Sequence, residues 1–275
     1  MAQVAANGMT LEVEQHGTPS GDAIVLIRGL GSQLIHWPDA LITAFVTAGL
    51  HVITFDNRDA GLSRKCDGAD AYTLCDMADD TIGLMSALGI EKAHVLGVSM
   101  GGMIAQLAAL RHPARIRSAY IVMSSSMAPH LPPSDPDVQN MLKAQAAGPR
   151  RQDVIAHELR TGRAWGSPGW PFDDKDRAAL IGRAYDRSYC PEGTARQYAA
   201  MMAARHDLAH IEAIDLPVLF VHGSHDRIFP LAHGQDIARR IPGARLVTID
   251  GMGHDLEGAL PVIVAKHVLR CIETV

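Results

Sequence analysis

The chain has 275 residues, 47% hydrophobic and 20% charged, a globular composition that excludes wholesale disorder and supplies enough core for a fold without staples. Its net charge of −5, with 14 histidines counted as neutral, gives no basic excess for phosphate-rich partners, which argues against nucleic acid and an anionic membrane surface. No apolar run approaches the ~18 residues of a membrane span, residues 1–8 lack the regions of a secretory signal, and Cys66, Cys75, Cys190 and Cys271 are too scattered for a zinc site or a disulfide framework.

In chain order, residues 9–15 read as an antiparallel edge strand, and short apolar runs follow at 23–27, 52–55, 93–98, 119–123, 218–221 and 246–249. These runs are continuous rather than alternating, which predicts strands buried on both faces. Thr73 and Asp76 form a capping-box-like pattern that opens a helix, and Gly89 can close it. A second helix begins at Met100 and stops before Pro113. Strands alternating with helices predict an α/β architecture, a parallel sheet with helices on both faces. That rhythm fails from 124 to 210, where helix formers are punctuated by Pro, Gly and Trp. The break predicts a helical insertion in a core made of residues 1–123 and 211–275.

Gly97, Val98, Ser99, Met100 and Gly101 make a G-x-S-x-G match. The pattern alone is weak, and an idle serine on a glycine-rich turn is the plain alternative. Its setting sharpens it: the motif ends one predicted strand and starts a helix, as a nucleophile elbow requires. Side chains two residues either side of the serine would clash in so sharp a turn, and glycine removes them. The helix N-terminus then points its positive end at the serine oxygen.

A serine hydroxyl needs a base, and the base needs an orienting acid. In an open parallel sheet, ligands bind beyond the carboxyl ends of the strands. His254 lies just past the strand ending at Ile249, and Asp226 just past the one ending at Val221. Asp215 is at the wrong end of its strand. Asp250 and Asp255 flank His254 but would need awkward backbone geometry to reach its ring. His222 and His225 beside Asp226 invite a metal reading, but lack further ligands at suitable spacing. The oxyanion hole needs two backbone donors. Met100, directly after the nucleophile, is one candidate, and Leu30, in the loop after residues 23–27, is the other.

Together these features resemble the α/β-hydrolase family: the elbow at Ser99, the loop from Asp56 to Ser63, the turn from Gly223 to Asp226, and Gly251 to His254, in the family's order. The resemblance spans nearly the whole chain. It implies the α/β-hydrolase fold, a mostly parallel central sheet flanked by helices, with 124–210 as a helical cap after the sixth strand. Arg28 stands where many relatives carry histidine. Arg28 to Gly31, Trp37 with Pro38, and 165–172 look more like the branch of aclacinomycin methyl esterase-like and macrolide esterase-like enzymes. That implies a serine esterase working through an acyl-enzyme, without cofactor or metal. Aromatic and Met side chains of the insertion point to a small, apolar ester, and the cysteines, read as reduced thiols, to a cytoplasmic chain, expected as monomer or homodimer. His36, Trp37, Met127, Trp165 and Trp170 are the candidate substrate-binding residues, while Asp56 and Arg58 are expected to brace their loop. A carbon–carbon bond hydrolase or perhydrolase on the same triad, and a ligand receptor that retains a hydrolase site, are the alternatives. Cationic or polar groups under the cap would favour the carbon–carbon reading.

Overall fold

The computed structural model describes residues 1–67, 71–143 and 148–274. Eight strands form one sheet: β1 (Ala2–Ala6), β2 (Met9–His16), β3 (Ala23–Ile27), β4 (His51–Phe55), β5 (Ala93–Val98), β6 (Ile116–Val122), β7 (Val218–Gly223) and β8 (Arg245–Ile249). Their spatial order is β1-β2-β4-β3-β5-β6-β7-β8. The pairs β1–β2 and β2–β4 are antiparallel, and every later pair is parallel.

The apolar runs at 23–27, 52–55, 93–98 and 218–221 lie wholly inside, as their lack of alternation requires. Successive residues divide between two cores. Val25 and Ile27 face the helices α2 (Leu74–Ala87), α3 (Met100–Arg111) and α8 (Ala232–Arg240). Ile24 and Leu26 face α1 (Asp39–Thr47) and α9 (Leu260–Ile272). The period of two along a strand therefore feeds both layers. β8 departs from the expectation of two-sided burial: at the sheet edge, Arg245 and Thr248 are exposed.

The capping box at Thr73 forms in both directions, and Gly89 takes a left-handed φ of 72° just beyond the helix. β1 was not anticipated. It folds back on β2 through Asn7 and Gly8, whose φ values of 50° and 72° belong to a tight hairpin turn.

Between β6 and β7 the described residues form four α-helices: α4 (Pro136–Lys143), α5 (Arg151–Trp165), α6 (Asp174–Arg187) and α7 (Pro191–Ala203). Polar side chains tie this segment to the loops at the carboxyl ends of the strands. Gln33 Nε2 donates to the carbonyls of Ala184 and Ser188. The Gly31 amide donates to Gln197 Oε1, and Gln197 Nε2 donates to the Arg58 carbonyl. Arg196 grips the buried Asp59 carboxylate with two bonds of 2.8 Å. Burial alone would raise the Asp59 carboxyl, but bonds from Arg196, the Cys66 amide and Tyr72 hold it below the usual carboxylate value.

Candidate active site

Ser99 sits between β5 and α3 with φ 55° and ψ −123°, a conformation that costs a non-glycine residue on the order of 1–3 kcal/mol. Neighbouring groups hold it there. The Ser99 amide donates to the Val122 carbonyl at 3.0 Å, and Ser124 Oγ donates to the Ser99 carbonyl at 2.7 Å. The flanking glycines are sterically required: a Cβ on Gly97 would lie 2.0 Å from the Gly101 carbonyl oxygen, and one on Gly101 would lie 2.1 Å from that of Ile27. The serine itself is half-buried rather than fully exposed.

Ser99 Oγ lies 2.9 Å from His254 Nε2, and His254 Nδ1 lies 2.8 Å from Asp226 Oδ2. Three residues far apart in sequence thus form one hydrogen-bonded chain. The Asp226 carboxylate is buried, and its other oxygen accepts the amides of Ile228 and Phe229 at 2.9 Å each. Burial pushes this carboxyl up, but the charge and hydrogen bond of His254, His222 and the amides outweigh it, so it lies below the usual carboxylate value. Phe229 presents an edge-on contact to the His254 ring at 5.6 Å. This residue escaped sequence reading because only the turn at Asp226 brings it round.

The competing groups are engaged elsewhere. Asp250 accepts from Ser224 Oγ, and Asp255 accepts from Ser167 Oγ and the Ser167 amide. Buried His222 directs Nε2 to the Phe229 carbonyl at 2.7 Å and stands 3.7 Å from Asp226. Exposed His225 contacts Ser224. The loop carrying His254 is also pinned by the helical segment: the His254 amide donates to the Trp165 carbonyl at 2.7 Å, and the Gly253 amide to Ser167 Oγ at 2.8 Å.

Met100 opens α3, so its amide has no helical acceptor behind it, while its side chain is buried in the core. The loop after β3 passes directly beside the serine: a Cβ on Gly29 would lie 3.1 Å from Ser99 Cβ. Leu30, next along, is partly buried against the core. Asp56 braces this loop by accepting the Leu34 and Leu62 amides and Arg187 Nη1. Arg58 instead pairs in two-pronged fashion with Asp80, both bonds 2.7 Å.

The five pocket candidates divide. Trp37 is buried, with the Arg28 guanidinium 4.8 Å above its ring. His36 is held at about pKa 3, first by burial and then by the Arg28 charge, so it is neutral at pH 7. Met127 has a left-handed φ of 55° and is partly buried on the core, as is Trp165. Trp170 leans on the His254 loop, close to Gly251 and Gly258. Sequence reading expects an apolar pocket, but charged groups occupy this region too. Arg177 pairs with Glu257 and interacts electrostatically with Arg28, His36 and Glu158.

A model of the alpha/beta hydrolase fold family matches residues 22–256. This chain belongs to that family. Rhodomycin D methylesterase DnrP of Streptomyces peucetius is 28% identical to this alpha/beta hydrolase, over 96% of this chain and 94% of its own. Rhodomycin D methylesterase DauP of Streptomyces sp. strain C5 is 27% identical, over 98% and 95%. Both are methylesterases by name, the kind of enzyme that the sequence resemblance implied. Among solved structures, an enol-lactonase from Burkholderia xenovorans LB400 matches with a TM-score of 0.81 at 25% identity, covering 99% of this chain and all of that one. Among the described residues of this alpha/beta hydrolase, no helix is long and apolar enough to cross a membrane.

Proposed function

We propose that the chain is a serine hydrolase of small carboxylic esters, with Ser99 as nucleophile, His254 as base and Asp226 as its orienting acid. The observation that carries this reading is the unbroken hydrogen-bonded path from Ser99 Oγ through His254 to Asp226. Ser99 attacks the ester carbonyl as His254 Nε2 takes its proton. Asp226 keeps the other proton on Nδ1 and stabilises the imidazolium that forms. The amides of Met100 and Leu30 bind the oxyanion. His254 then protonates the leaving alcohol and activates water to release the acid. The methylesterase names of DnrP and DauP support an ester as substrate.

In this reading the four helices from α4 to α7 are a lid that selects substrate, while the sheet holds the chemistry. The test is a screen of 4-nitrophenyl esters of increasing acyl length, alongside aromatic methyl esters. Saturable turnover of at least one series is expected; no ester turnover by pure, folded protein would overturn the reading. Arg28 and Arg177 are cationic groups of the kind that a carbon–carbon hydrolase would need, so a vinylogous diketone acid belongs in the same screen. Its turnover in preference to every ester would replace the esterase reading.

The two tryptophans should behave differently. Trp165 also packs on the core, but its carbonyl holds the His254 amide and so sets Trp165 beside the base; Trp165→Ala is expected to shift the long-chain to short-chain ratio of kcat/KM by about tenfold. Trp170→Ala is expected to lower the melting temperature with that ratio unchanged, because its ring packs on the core and the His254 loop. A Trp165→Ala enzyme with an unaltered ratio would remove Trp165 from the pocket.

A further inference from the structure

Arg28 is the first residue after β3, and the backbone of its neighbour Gly29 runs against Ser99. The guanidinium is deeply buried, yet part of the residue's surface stays accessible. The same holds for His36. Both residues are thus deeply set but not sealed off from solvent.

The other two arginines near His36 have counter-charges: Arg177 pairs with Glu257, and Arg187 with Asp56. Arg28 forms no ion pair among the described residues. Among the described residues its Nε is buried without a hydrogen-bond partner, and its guanidinium lies over the face of Trp37. Burial, then the nearby Arg177 charge, push its pKa down to about 9, with Glu257 opposing; it is still a cation at neutral pH. Burying a cation without a counter-ion is unfavourable, and such groups cluster where a protein binds or reacts.

The surroundings are built to donate. The shorter of two contacts between His36 Nδ1 and Gln33 is with the Gln33 amide, at 2.9 Å. Nδ1 is then the acceptor, and the neutral ring carries its proton on Nε2. The indole Nε1 of Trp37 is also buried without a partner. A guanidinium fork matches a carboxylate in geometry as well as charge.

We propose that Arg28 is a specificity-determining residue that binds an ionised carboxylate on the substrate, so that the preferred esters are those carrying a second, free acid group. This rests on the ester-hydrolase reading above. Arg28 would hold the substrate by its carboxylate while the ester group lies at Ser99, beyond Gly29.

Two matched pairs of substrates test it, one with the charge on the acyl side and one on the alcohol side. They are mono-4-nitrophenyl glutarate against 4-nitrophenyl pentanoate, and 4-acetoxybenzoate against 4-tolyl acetate. For at least one pair, the wild-type ratio of kcat/KM is expected to favour the anion by tenfold or more. Arg28→Gln should cut that ratio at least tenfold, and Arg28→Lys, which keeps the charge, should retain part of it. Each ratio is taken within one protein, so general damage from losing the Trp37 contact cancels. An unchanged ratio in Arg28→Gln, or a wild-type preference for the neutral ester in both pairs, overturns the proposal.

A binding arm separates this proposal from the esterase reading. Ser99→Ala protein is titrated calorimetrically with monomethyl glutarate and with dimethyl glutarate. If no ester is hydrolysed but the monoanion binds in an Arg28-dependent way, the esterase reading fails and the carboxylate site stands. If esters are hydrolysed but neither ratio nor binding depends on Arg28, the carboxylate site fails alone.

Discussion

Ser99→Ala is expected to lower kcat for ester hydrolysis by about a million-fold, the usual cost of losing a triad nucleophile. The fold should survive. Among the described residues the Ser99 hydroxyl makes one hydrogen bond, to His254, and such a bond contributes about 1 kcal/mol to stability. In a domain of this size that moves the melting temperature by roughly 2–4 °C. The elbow itself rests on backbone groups, on Ser124 and on the crowded glycines, none of which the substitution touches. Activity and melting curves should be measured on one preparation. Near-normal turnover in well-folded Ser99→Ala protein would remove Ser99 from the mechanism.

The second large effect is expected from Asp226→Asn, about ten-thousand-fold in kcat. The asparagine oxygen can still accept the amides of Ile228 and Phe229, so the turn should keep its shape. Its NH₂ group would then face His254 Nδ1, which must become the acceptor. The ring proton moves to Nε2, and the base can no longer take a proton from Ser99. Asp250→Asn is the control: its carboxylate accepts from Ser224 on the surface side of the same turn, and activity should stay within a few fold. The reverse ranking of these two variants would make Asp250 the acid.

Much of this site was legible because its constraints are local. Gly97, Ser99 and Gly101 announce a steric problem that is solved within five residues. Asp226 and His254 stand directly after apolar strands, and topology sends such positions to one edge of a parallel sheet. The hairpin that forms β1 also had a local sign, Asn7-Gly8, in a stretch whose Ala-rich composition gives little strand propensity. The pairing of the charged groups had no local sign. Arg28 shows in the sequence only as a departure from histidine; that it lacks a counter-charge emerges because Arg177 is taken by Glu257 and Arg187 by Asp56, pairings across 80 and 131 residues. Ser167 and Asp255, 88 residues apart, hold the His254 loop in the same non-local way. Periodicity reports which face of a strand is buried, but it cannot report which carboxylate an arginine finds.

The bonds that the His254 and Gly253 amides donate to the Trp165 carbonyl and Ser167 Oγ, and that Ser167 Oγ donates to Asp255, bear on how such an enzyme can be re-engineered. The stretch that would tune selectivity also holds His254 in place, so it is not an interchangeable cassette. A chimera that imports residues 124–210 from a relative inherits a foreign clasp on its own histidine and is expected to lose rate together with its old preference. A graft that keeps residues 165–167 and Asp255 native retains the clasp, and only such a graft lets preference evolve while rate is held constant.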